Sequence, residues 1–106
     1  MSEASRIVNV GDKEITDREA KAEAVLSLTP EACAQLLAGT PKGDPIEAAR
    51  IAGIMATKRT PDLLPFCHPI VVTGAEVTCD ADASAGRIVV TATVRAKDRT
   101  GVEMEA

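Results

Sequence analysis

IVVTGAEVTCDADASAGRIVVTATVRAK, residues 70–97, decides the fold. Its first part, IVVTGAEVTCD (70–80), alternates in part between apolar and polar residues, as a half-buried strand does. DASAG (82–86) has turn composition, and RIVVTATVRAK (87–97) is a second strand. The pair reads as an antiparallel hairpin. Short helices precede it, with no run of βα repeats. That combination predicts an α+β fold with an antiparallel sheet.

The helices are marked by their ends. Asp44-Pro45-Ile46-Glu47 is the clearest start: Asp44 can cap, Pro45 fits the first position, and Glu47 sits three after the cap. The helix IEAARIAGIMATK (46–58) is apolar on most of its circumference, which predicts a largely buried helix. Gly53 inside it costs ~1 kcal/mol against Ala, which points to close packing there. Pro61 marks its end. An earlier helix, EACAQLLA, starts after Thr29-Pro30 and stops at Gly39. Before it, RIVNVGDKEI (6–15) reads as extended with a Gly-Asp turn. Thr16-Asp17-Arg18-Glu19 has the form of a capping box, so a short polar helix is expected over roughly 17–23, followed by a strand AVLSL (24–28).

The chain has 106 residues, enough for a single domain, residues 1–106. Phe66 is its only aromatic residue, so the core must be aliphatic, which argues against base stacking on aromatic platforms. The net charge of −4 is wrong for a nucleic-acid binder. Three cysteines at scattered positions, 33, 67 and 79, do not make a disulfide framework. No apolar run approaches the ~20 residues that span a bilayer. A reducing cytoplasm is the default expectation, with neither a nucleic acid nor a membrane as partner.

Chemistry concentrates in KRTPDLLPFCHPI (58–70), where Pro65 and Pro69 bracket Cys67-His68. A zinc site needs three or four ligands, and the chain has no second histidine and no C-x-x-C. A nucleophilic Cys–His pair is disfavoured because adjacent residues of extended chain point to opposite faces. Two readings remain open: a buried Cys beside a hydrogen-bonded His, or a rigid loop that aims His68 at a ligand. Lys42 stands before a helix N-terminus, where anions are favoured, although Asp44 already fills the cap. Arg50 either pairs with Glu47 one turn earlier or meets a ligand. Arg59 and Asp62 have the spacing of an ordinary surface pair. Thr100-Gly101-Val102-Glu103 repeats the capping pattern, and Glu103 and Glu105 flank Met104. Two acids that far apart do not share a helix face, so a simple paired-carboxylate site is not expected. The sequence stops within about a turn of this helix start, and a helix that short cannot hold itself. Either the tail is disordered or the sequence is a piece of something longer.

Taken in order, KGD (42–44), ARIAGIMATKRT (49–60), DLLPFCHP (62–69) and TGVEMEA (100–106) resemble the cyclic pyranopterin monophosphate synthases of molybdenum cofactor biosynthesis. The opening VNVGDKEITDREAKAEA is similar to that family's start, and the resemblance covers nearly the whole chain. It implies a ferredoxin-like α+β fold, an antiparallel sheet with helices on one face. It implies a homohexamer, a trimer of dimers, with active sites at the dimer interface. The implied reaction is a lyase step: a cyclised dihydro-GTP intermediate becomes cyclic pyranopterin monophosphate and pyrophosphate leaves. No metal or redox cofactor is expected for it. The family's substrate contacts fall on Phe66, Cys67 and His68 and on Met104 and Glu105, with Glu103 and Arg50 as further substrate-binding candidates. Its functional lysines fall on Lys42 and Lys58. Phe66 stands where members usually carry Leu. In the family the EMEA motif opens a long helix ending in an acid/base Asp and Lys, which this sequence does not contain, so weak activity at best is expected of the 106 residues. The alternative is a catalytically inactive fragment or paralogue that binds nucleotide phosphates or co-assembles with complete subunits.

Overall fold

In the computed structural model, which describes residues 5–106, the elements run β1 (Thr16–Ser27), α1 (Pro30–Ala38), α2 (Pro45–Lys58), α3 (Thr60–Leu63), β2 (Val72–Asp82) and β3 (Arg87–Asp98). The expected hairpin is present: β2 and β3 pair antiparallel from Asp82↔Arg87 outward, with a register shift between Val72 and Gly74. Its turn is held by the Asp82 carboxylate, which accepts from Ser84 Oγ at 2.8 Å and Ala85 N at 3.3 Å. Those donors, the Ser84 hydroxyl foremost, hold the Asp82 carboxyl below its ordinary range.

The central strand is β3, and the sheet order is β1-β3-β2. β1 pairs with β3 without interruption from Thr16↔Asp98 to Ser27↔Arg87. The expected polar helix over 17–23 is therefore wrong, and the expected strand at 24–28 is the end of a longer one. Ala, Glu and Lys favour helix locally, but here the residues alternate. Arg18, Ala20, Ala22, Ala24 and Leu26 share one face, opposite Ala96, Val94, Ala92, Val90 and Ile88 of β3. Pairing with a strongly β-forming neighbour overrides local propensity. Glu19, read as a capping acid, pairs with Arg95 at 3.1 Å on the outer face.

The register places Ala75, Val77 and Cys79 on that same apolar face, while Glu76, Thr78, Asp80, Thr91, Thr93 and Arg95 point the other way. Both main helices lie on the apolar face. α2 packs on β2, and α1 packs beside it against β2 and β3. Helix α1 starts at Thr29, whose hydroxyl accepts from Ala32 N at 3.1 Å. Helix α2 starts at Asp44, whose carboxylate accepts from Ile46 N at 2.9 Å. At the far end of the face, Val94, Ala96 and Val102 form a buried cluster with Ala20, Ile70, Val72 and Ala106 against it. The result is the expected ferredoxin-like α+β arrangement, with helices on one face of an antiparallel sheet.

The expectation of a largely buried α2 does not hold. Its inner face meets β2, but Ile51 and Met55 are 46% and 54% exposed. From Ala22 onward β1 is likewise bare on its apolar face, with Leu26 56% exposed.

Candidate functional site

The loop after α2 is built by threonines and prolines. Thr57 and Thr60, both buried, back-bond to Ile54 O at 2.7 Å and Ala56 O at 2.9 Å and close the helix end. Pro61, with no N–H to satisfy, then opens the single turn α3, a helical turn inside the stretch expected to be loop. The link between Arg59 and Asp62 is a backbone bond, Asp62 N to Arg59 O at 3.0 Å. Next comes a tight turn closed by Cys67 N donating to Leu64 O at 3.1 Å, with Pro65 in the position where its fixed φ fits. This turn drives Cys67 inward and leaves His68 half-buried beside it.

The second wall comes from the end of the chain. Ala106 N donates to Val102 O at 3.1 Å, which makes one helical turn after the Thr100-Gly101 start. The Glu103 carboxylate folds back over the Cα of Gly101, in space that a side chain there would fill. Val102 is buried in the sheet cluster, and Glu105 turns inward with it.

Between the two walls lies a small pocket. Phe66, Cys67, His68, Glu103, Met104 and Glu105 line it, six residues singled out from sequence. Thr100 and Gly101 complete the lining. The sequence marks these two only as a helix start, and their place beside the candidate contact residues is the one signal for them. Within the wall, the Cys67 thiol lies 3.4 Å from Glu105 Oε2. Burial, then the hydrogen bond and charge of Glu105, push the Cys67 thiol up to about 11, so sulfur keeps its proton at neutral pH.

Lys42, Lys58 and Arg50 lie elsewhere. Lys42 sits in the turn where its N–H donates to Thr40 Oγ1 at 3.2 Å. Lys58 lines a surface depression with Ile54, Val72, Thr73, Gly74 and Ala75. Arg50 grips Glu47 through two bonds, Nε to Oε2 at 2.9 Å and Nη2 to Oε1 at 2.6 Å. That contact lowers the Glu47 carboxyl and raises the Arg50 guanidinium from their ordinary ranges. Among the described residues, no helix is long and apolar enough to cross a membrane.

A family model described as the MoaC family matches residues 7–106. The chain belongs to the MoaC family. Among similar MoaC-type proteins is the cyclic pyranopterin monophosphate synthase of Pelotomaculum thermopropionicum, 48% identical over 103 residues that cover 96% of this chain and 61% of that one. The synthase of Streptomyces griseus is 49% identical over 104 residues, covering 97% and 58%. That of Geobacter sulfurreducens is 50% identical over 101 residues, covering 94% and 63%. The chain thus spans about three-fifths of the length of these curated relatives.

Proposed function

We propose that this MoaC-family chain, acting as one domain, serves the lyase step of molybdenum cofactor biosynthesis: conversion of the cyclised dihydro-GTP intermediate to cyclic pyranopterin monophosphate with loss of pyrophosphate. The observation that carries this reading is the meeting of Phe66-Cys67-His68 with Glu103-Met104-Glu105 around one pocket. The two segments lie far apart in sequence, and the family resemblance implies substrate contact for both.

In the reaction the α-phosphorus gains a bond to a sugar oxygen as its bond to the β-phosphate bridging oxygen breaks. Negative charge grows on the departing pyrophosphate and needs fixed donors nearby. His68, held by the Pro65 and Pro69 bracket, supplies one donor. Lys42, Lys58 and Arg50 are cations for the remaining phosphate charge. Because none of the three lines the pocket, they act from a neighbouring copy, with sites shared at a dimer interface of a homohexamer.

Exposed apolar surface supports association: Leu26 of β1 and Ile51 and Met55 of α2 stand open to solvent. The setting is the cytoplasm. Pyrophosphate release from the cyclised dihydro-GTP intermediate tests the proposal. Release by the chain and its loss in His68→Ala are expected, whereas release that is indifferent to His68 removes the pocket from the chemistry.

A further inference from the structure

Cys67 and Glu105 are both buried, at 5% and 6% exposure, and meet across the two walls of the pocket at 3.4 Å. We infer that Cys67 is a positioning residue whose thiol donates to Glu105 Oε2 and fixes that carboxylate in the pocket wall beside His68. The inference rests on the reading of this pocket as the substrate site.

A carboxylate taken out of water needs donors, because burial without them penalises its charge heavily. Among the described residues, the Cys67 thiol is the side-chain donor that reaches Glu105. The same thiol also stands 3.5 Å from the carbonyl oxygen of His68. One S–H serves one acceptor well, and a charged carboxylate is the stronger of the two. The backbone sets up the pairing from both sides. The turn closed by Cys67 N and Leu64 O aims the thiol inward, and the helical turn closed by Ala106 N and Val102 O aims Glu105 at it.

This arrangement differs from that of a reactive cysteine. Nucleophilic thiols sit in electropositive, partly exposed surroundings that favour the thiolate. Here the nearest charge is negative, and the proton is held on sulfur. What the pair supplies is a fixed acceptor. Without its donor, Glu105 is free to rotate away from the pocket and to draw in water, and it would no longer meet a ligand in one geometry.

Three variants of the full chain test this: Cys67→Ser keeps a donor, Cys67→Val keeps the bulk without one, and Glu105→Gln keeps the shape without the charge. The first readout needs no substrate. In protein labelled with carbon-13 at cysteine and at the glutamate carboxyl, the Cys67 resonance should titrate near 11. Glu105→Gln should bring that midpoint down. The Glu105 carboxyl signal should stay in place in Cys67→Ser and move in Cys67→Val. The second readout is affinity for the cyclised dihydro-GTP intermediate. Cys67→Val should bind roughly tenfold more weakly than Cys67→Ser, the scale of one hydrogen bond to a charged group.

A Cys67 midpoint indifferent to Glu105→Gln overturns the inference, and so does equal affinity of the Ser and Val variants where His68→Ala weakens binding. If His68→Ala also leaves affinity unchanged, the substrate reading of the pocket fails, and the resonance readout alone decides the thiol–carboxylate contact. Should Cys67→Val not fold, the Ser and Gln variants carry the same decision through the first readout.

Discussion

A β-carbon placed on Gly53 would stand 3.1 Å from Val77 Cγ1 and 3.4 Å from Val77 Cγ2. Helix α2 therefore meets the sheet through its own backbone at this point, and Val77, 4% exposed, fills the space a side chain would take. The close packing expected from a glycine in mid-helix is present, and it is local: the opposite side of α2 faces outward.

Gly53→Ala pits two effects against each other. Helix propensity favours Ala by ~1 kcal/mol. Crowding Val77 costs ~1–3 kcal/mol in a well-packed site. The expected result is a net loss on the order of 1 kcal/mol, or about 4–8 °C in Tm for a domain of this size. In a Val77→Ala background the clash is gone, so the same substitution should become stabilising. Thermal unfolding of the four proteins of this cycle, followed by circular dichroism, measures the coupling. Additive effects would contradict the contact.

Cys67 predicts an alkaline weak point. Its folded-state value is raised to about 11 from an ordinary value of 9.0. The stabilisation is thus whole below pH ~9, where both states hold the proton, and is lost as pH rises towards ~11, because only the unfolded chain ionises in that window. The loss should amount to roughly 3 kcal/mol, from ~1.4 kcal/mol per pH unit of difference. Urea unfolding at a series of pH values, for the wild-type chain and for Cys67→Ser, isolates this contribution from the lysines, which titrate in both proteins. An identical pH dependence of the two would count against the buried, protonated thiol.

The cap on α2 is worth a separate test. Asp44 accepts from Ile46 N, while Glu47, three residues after it, turns away to Arg50 instead of closing a capping box. Asp44→Ala should cost ~1 kcal/mol. Asp44→Asn, which keeps an acceptor, should cost less. Equal losses for the two would mean that charge at the helix start, not the hydrogen bond, is what stabilises it.

Much of the fold is legible along the chain wherever a local signal has one meaning. The Thr29-Pro30 and Asp44-Pro45 starts and the 70–97 hairpin are of this kind. β1 is not, because its Ala, Glu and Lys residues speak for helix one at a time. Their alternation speaks for a strand only once β3 is there to pair with Ala20, Ala22 and Ala24. Exposure of the outer face of α2 was hidden for a related reason. An apolar circumference predicts burial but does not say by what, and within one copy β2 and, less extensively, α1 lie against it.

For the site, resemblance named five of the eight lining residues, with Glu103 a further candidate, and local rules explain how their segments are shaped. The meeting of Cys67 with Glu105, 38 positions away, had no local sign, since neither residue's neighbours indicate the other. Of the two sequence readings of Arg50, the structure has the pair with Glu47, while the depression that Lys58 faces had no sign in the sequence.

The most direct test of the account is the affinity of the purified chain for the cyclised dihydro-GTP intermediate, measured by calorimetry for wild type and His68→Ala in the same buffer. A hydrogen bond from His68 to a phosphate is charge-assisted and carries about 1.5–3 kcal/mol, so the variant should bind some 10- to 100-fold more weakly. Its thermal unfolding should be unchanged. Equal affinity of the two proteins would contradict the central claim that the Pro-bracketed loop aims His68 at the substrate.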